Sequence, residues 1–159
     1  MSILIVGATG FVGGEIACKL ASRGRKVAGL VRGGSAHAKG CQLANNGVTI
    51  VPGELAKPNW LAVSGVETIV CTAIFRRTGT DDSLRRIGLA DTLALIDDAQ
   101  QQGARKFVHV SCSGNIREDS PLETPKRQCA ARLPLPAAPE DAVVRTRSKL
   151  TRSIKERVR

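Results

Sequence analysis

The sequence predicts an α/β fold, a doubly wound parallel sheet with strand order 3-2-1-4-5. Three observations carry that expectation. Short apolar runs fall at residues 3–6, 27–31, 48–51, 68–71 and 107–110. Helical or loop stretches separate them, and strands alternating with helices imply a parallel sheet. Residues 3–13, ILIVGATGFVG, pass directly from strand to helix through three glycines. Right-handed crossovers then place the ligand crevice at the carboxyl ends of the first and fourth strands.

The first unit is the best defined. After the strand at residues 3–6, Gly7 allows a tight turn, Gly10 lets the backbone approach a pyrophosphate and Gly13 lets the helix pack on the strand. The helix, residues 12–23, carries Val12, Ile16 and Leu20 in register, and the strand at 27–31 completes a βαβ unit. The N-terminus of such a helix offers free N–H donors and a partial positive charge to an anion. A glycine turn without a ligand is the alternative reading.

Farther along, residues 55–64 hold Pro58 and Trp60 and admit only one or two helical turns, with Trp60 read as a packing residue. The helix before the fifth strand is signalled by Leu89, Leu93 and Ile96, a stripe expected to face the sheet, with Asp91 early and Gly103 closing it. Five of the seven prolines lie within residues 121–139, so RLPLPAAP at 132–139 continues neither a helix nor a central strand. Residues 1–133 are therefore expected to form the domain and 134–159 a proline-rich, then basic, poorly ordered tail.

Composition narrows the function classes. The 159 residues correspond to one domain. With three Phe, one Trp and no Tyr, its core must be aliphatic. No run reaches the roughly 18 apolar residues of a membrane span, and no basic leader precedes the first strand, so a cytoplasmic protein is expected. Cys18, Cys41, Cys71, Cys112 and Cys129 are scattered and never C-x-x-C; with only His37 and His109 as imidazoles, neither a disulfide framework nor a metal site is indicated. The net charge of +10 is shared between residues 1–114, with 13 basic and 8 acidic side chains, and residues 115–159, with 11 and 6. That charge favours polyanions generally, but no interleaved aromatics or helix-turn-helix pattern point to specific nucleic-acid recognition.

Arg32 ends the second strand nineteen positions beyond Gly13, where NAD-selective sites hold an acid against the ribose hydroxyls. An arginine there favours a 2′-phosphate instead. One charge-assisted hydrogen bond of about 1.5–3 kcal/mol corresponds to roughly 10- to 150-fold preference for NADP(H) over NAD(H). A solvated surface arginine is the competing reading.

The segment GATGFVGGEIACKL followed by VAGLVR resembles the extended and atypical short-chain dehydrogenase/reductases, and among them the NmrA-like group. The likeness continues through GVETIVCTA at 65–73, DTLALIDDAQQQGARKFVHVSCSGNI at 91–116 and SPLETPKRQCAARL at 120–133, and ends at Leu133. It implies a Rossmann-type domain that binds a nicotinamide dinucleotide, with Thr9, Phe11 and Val12 joining the three glycines around it. It also implies that Thr72 and Ala73 line the ribose and pyrophosphate, and that Glu54 with Leu55 lies near the adenine. Glu54 reads equally well as a solvated loop carboxylate, and Leu55 as a packing residue.

For chemistry, the resemblance puts Ser111 and Ser113 beside the nicotinamide, polarising a carbonyl, and Lys126 on the following helix, holding the ribose or donating a proton. The tyrosine of the usual Tyr-x-x-x-Lys pair is absent: the chain has no Tyr, and position 122 is Leu. Pro125 and the later prolines leave open an exposed Lys126 on a frayed segment. Cys112 as a reactive thiol, His109 as an acid or base, and Arg76 with Arg77 as a phosphate contact are weaker readings. The family's sixth strand and substrate region are not recognisable, so a truncated member is expected. Its function would be hydride transfer between NADPH and a small carbonyl or quinone-like acceptor, or non-catalytic sensing of NADP(H) for a protein partner.

Overall fold

The computed structural model describes residues 2–32, 37–55, 65–73, 86–110 and 123–133. Among them are five strands, β1 (Ser2–Val6), β2 (Lys26–Val31), β3 (Thr49–Pro52), β4 (Val66–Cys71) and β5 (Lys106–His109). All pair in parallel, in the order β3-β2-β1-β4-β5 that the alternating pattern predicts. Four α-helices accompany them: α1 (Phe11–Ser22), α2 (His37–Asn45), α3 (Thr92–Gln101) and α4 (Glu123–Arg132).

Alternate residues of the strands feed two cores, because successive strand side chains point to opposite faces. Leu4, Val6, Ala28, Leu30, Val51 and Cys71 pack on one face with Leu95 and Ala99 of α3. Ile5, Val27, Val31 and Val70 pack on the other with Ala17 of α1 and Leu43 of α2. Helices therefore cover both faces, and the central strand is apolar on both sides. β4 contains one break in this alternation. Ser2 pairs with Val66 but Ile3 with Thr68, so Glu67 is an extra residue, and Val66 and Ile69 reach the same face although they are three apart.

The apolar stripe of the helix before β5 meets the sheet at Phe107 of β5, as expected, and is shared with a second helix. Leu93 and Ile96, with Leu89 one turn earlier, pack on Cys129 of α4 and on Leu133 just after it, with Phe107 of β5 beneath them. Leu95 and Ala99 are the residues that meet the main sheet core. The stripe splits because α3 lies between the sheet and α4 and needs two apolar faces. It is entered through a wider π-type turn, Arg86–Asp91, and closed at Gly103 (φ 74°), where the Ala104 amide reaches the Ala99 carbonyl at 2.9 Å. The segments read at Pro58 and Trp60, at Arg76 and Arg77, and beyond Leu133 lie outside the described residues.

Candidate functional site

The glycine turn joins the buried end of β1 to α1. Gly7 has φ 90°, a left-handed conformation, and its carbonyl accepts the Gly10 amide at 2.9 Å. Gly10 is the N-cap of α1, and Gly14 closes the first helical hydrogen bond onto it at 2.9 Å. No side chain caps this helix and no acid lies in its first turn. Among the described residues, the amides at positions 11–13 therefore have neither a helical partner nor a cap, and they carry the positive end of the helix dipole.

Adding a Cβ to each glycine separates their roles. At Gly7 it would meet the Ala73 nitrogen and Thr72 Oγ1, both at 2.8 Å; at Gly13 it would overlap the Gly7 carbonyl oxygen and meet Thr72 Oγ1 at 2.5 Å. Both positions are closed by the protein's own backbone. At Gly10 it would meet, among the described residues, only the Gly7 carbonyl, at 3.1 Å, and Gly10 is exposed with an ordinary extended backbone (φ −79°, ψ 164°). Internal packing thus leaves room above Gly10, over uncapped amides. An anionic phosphate group suits that position by charge.

The neighbouring strand ends frame it. Thr72 is buried, and its hydroxyl donates towards the carbonyls of Val6 at 3.2 Å and Gly7 at 3.5 Å, while its amide meets Val6 at 2.9 Å. Ala73 follows, half-buried, against the turn. Thr9 and Val12 are half-buried, whereas Phe11 is 78% exposed, the largest apolar side chain left to solvent among the described residues. Arg32 is exposed directly after β2, Glu54 is exposed just after β3, and Leu55 is half-buried against the sheet core. One contact was not anticipated from the sequence. Lys39 in the first turn of α2 donates from Nζ to the Thr9 carbonyl at 3.1 Å. No motif marks it, since it depends on how α2 folds back over the turn.

At the other end of the crevice, α4 brings Lys126, half-buried, towards β5. His109 lies beneath, 3% exposed, opposite Cys71 in the β4–β5 register. Neither imidazole nitrogen has a hydrogen-bond partner among the described residues; the Lys126 backbone lies near but outside hydrogen-bond geometry. Burial, then the Lys126 charge, push the His109 pKa down to about 4, so the ring is neutral at physiological pH. Burial likewise pushes the Cys71 thiol up to about 11 and raises Cys129. Ser111, Ser113 and Cys112 lie outside the described residues. Among those described, no three His, Cys, Asp or Glu side chains converge on a metal-sized site, and no helix is long and apolar enough to cross a membrane.

A 3-2-1-4-5 parallel sheet with a glycine turn leading into a helix whose N-cap is an exposed glycine defines a Rossmann-type nucleotide-binding domain. The chain belongs to the NAD(P)H-binding family, whose match runs over residues 7–154. It is 34% identical over 115 residues to the photosystem II assembly factor Ycf39 of a Synechocystis species, which covers 70% of this chain and 33% of that protein. The chain spans about a third of the length of the curated relatives it matches. A short-chain dehydrogenase/reductase superfamily protein of Agrobacterium tumefaciens with bound NAD superposes with TM-score 0.66 at 22% identity, covering 83% of this chain and 44% of that one. The triphenylmethane reductase of a Citrobacter species, complexed with NADP(H), does so with TM-score 0.63 at 18% identity, covering 83% and 45%. At these identities the two structures speak for the fold alone.

Proposed function

We propose that this chain binds NADP(H) in preference to NAD(H) and acts as an oxidoreductase-class domain, serving hydride transfer to a small carbonyl or quinone-like acceptor. The observation that carries the nucleotide half is the exposed Gly10 at the start of α1, where no described residue fills the space over the uncapped helix end. The amides at 11–13 and the small turn hold the pyrophosphate, Thr72 and Ala73 border the ribose, and Glu54 with Leu55 borders the adenine. Arg32, exposed at the end of β2, meets a 2′-phosphate. When bound, the reduced nicotinamide supplies a hydride to the acceptor carbon. Ser111 or Ser113 donates a hydrogen bond to the acceptor oxygen, and the Lys126 ammonium holds the nicotinamide ribose. With no Tyr in the chain, the proton that completes reduction has another donor, and His109, neutral and buried, is not charged to give it.

A second reading has its own support: the chain binds NADP(H) and passes its occupancy to a protein partner without turnover. The relative Ycf39 is by name an assembly factor, and the missing tyrosine suits a protein that does no reduction. One experiment addresses both. Melting curves with NADPH, NADH and neither should show stabilisation of about 2.7 kcal/mol with NADPH at roughly 100 times its dissociation constant, and less with NADH at equal concentration. No shift with either nucleotide sinks the proposal. Acceptor-dependent NADPH oxidation lost in Ser111→Ala supports the enzyme, whereas tight binding without turnover on quinones and aldehydes supports the sensor.

A further inference from the structure

We propose that the pole of the molecule opposite the nucleotide crevice is a peripheral docking face for a bilayer surface carrying acidic phospholipids. The inference stands apart from the dinucleotide reading and uses none of its residues.

All five strands run in parallel, so the turns that lead into them share one edge of the sheet, and the crevice lies at the other. The register sets the cations at that edge. Lys106 pairs with Thr68, Thr68 with Ile3 and Ile3 with Val27, so Arg105, one residue earlier, is level with Lys26. Their strands are three spacings apart, about 14 Å. Arg23 and Arg25 occupy the turn just before Lys26, and all five of these side chains are exposed. Arg23, Arg25, Lys26 and Arg105 have no ion-pair partner among the described residues. The acids described near this edge, Glu67 of β4 and Asp98 in the last turn of α3, are half-buried.

Between the cations the relief is low. Gly24, Gly47, Gly65 and Gly103 make the turns in left-handed conformations, and a Cβ on Gly24, Gly65 or Gly103 would meet no atom within 4 Å. Phe11, the large apolar side chain left exposed, stands at the opposite end. Cations spread over small turns, with no apolar wedge, suit a broad negative layer that is touched and not entered. A DNA groove is read by a projecting helix or ribbon, and neither projects from this pole among the described residues. Attraction to an acidic leaflet rises with each Lys or Arg brought near it and is screened by salt. Docking by this pole leaves the nucleotide crevice facing away from the bilayer.

The test uses the full chain and co-sedimentation with phosphatidylcholine vesicles, with and without phosphatidylglycerol. Binding should require the acidic lipid and fade as salt is raised. The combined substitutions Arg23→Gln, Arg25→Gln, Lys26→Gln and Arg105→Gln should weaken it at least tenfold, whereas the same loss of charge at Arg145, Arg147, Lys149 and Arg152 should change it less than about threefold. Equal losses from the two sets would show that net charge alone is sensed, and overturn the proposal, as would binding that ignores the acidic lipid or survives the pole substitutions. Pole-dependent binding that is as strong to a DNA duplex or to polyglutamate as to the vesicles would overturn the lipid as occupant. Should the fourfold variant melt early, Arg23→Gln with Arg25→Gln, and Lys26→Gln with Arg105→Gln, each lose part of the affinity if the pole docks and none if it does not. A chain that binds neither NADPH nor NADH yet sediments through this pole fails the nucleotide reading and leaves the docking face standing.

Discussion

The Thr72 hydroxyl donates to the Val6 carbonyl at 3.2 Å, across sixty-six residues of sequence, and so ties the end of β4 to the start of the glycine turn. Thr72→Val keeps the shape and removes the donor. It should lower stability by about 0.5–1.5 kcal/mol in urea denaturation and weaken NADPH binding, with Thr72→Ser preserving both. A Thr72→Val protein with unchanged stability and unchanged affinity would show that the hydroxyl does not position the turn.

Gly13 and Gly10 should separate folding from binding. A methyl at Gly13 collides with the Gly7 backbone, which cannot rotate away, so Gly13→Ala is expected to lose about 1–3 kcal/mol or more and to lose nucleotide binding with it. Gly10→Ala meets only one carbonyl at 3.1 Å, and should cost under about 1 kcal/mol while reducing NADPH affinity at least tenfold. Thermal melts without ligand, set beside titrations, check both. Equal destabilisation by the two substitutions would mean that Gly10 too is a packing requirement.

His109 predicts a pH dependence. Its folded pKa, about 4, lies below its ordinary value of 6.5, so between these the unfolded chain binds the proton and the native chain does not. Stability from the buried neutral ring is complete above about pH 7, is lost as pH falls through 6.5, and levels off below 4. The shift corresponds to about 3 kcal/mol in all. Surrounding Cys71 and Cys129 stay protonated through this window and Lys126 sharpens the effect by repulsion. Urea midpoints from pH 7.5 to 5 should therefore fall more steeply in the unmodified chain than in His109→Leu. Parallel slopes would exclude a depressed histidine.

Arg32→Ala should lower the NADPH-to-NADH affinity ratio by roughly 10- to 150-fold, mostly through NADPH. Because Arg32 is exposed, its removal should leave the melting temperature of the unliganded chain unchanged. An unaltered ratio would make Arg32 an ordinary surface residue and leave cofactor choice to other groups.

Much of the architecture was legible in the chain because it is written locally. The β1 run, the glycines and the helical register of α1 lie within about twenty residues, and alternation of strand and helix constrains a parallel sheet to few topologies. α2 was less legible: residues 37–45 hold one large apolar side chain, Leu43, and the helix is held by its reaching a core built from β1 and β2. The second contact of α3 was illegible for a related reason. Leu93 and Ile96 have the right spacing for the sheet contact they make at Phe107, but α4, whose position no local pattern encodes, covers them as well.

By itself, then, the sequence determined a glycine-turn βαβ start, five parallel strands, a cation at the end of β2 and the absence of a tyrosine proton donor. These follow from residue identity and short-range period. Only the tertiary structure decided that Gly7 and Gly13 are closed by Ala73 and Thr72 while Gly10 stays open, that Lys39 reaches Thr9, and that His109 is buried beside Lys126. Each joins residues between seventeen and sixty-six positions apart, except the Gly10 opening, which is the space they leave. Such distances are set by how the crossovers stack helices on the sheet, and no local pattern of side chains records them.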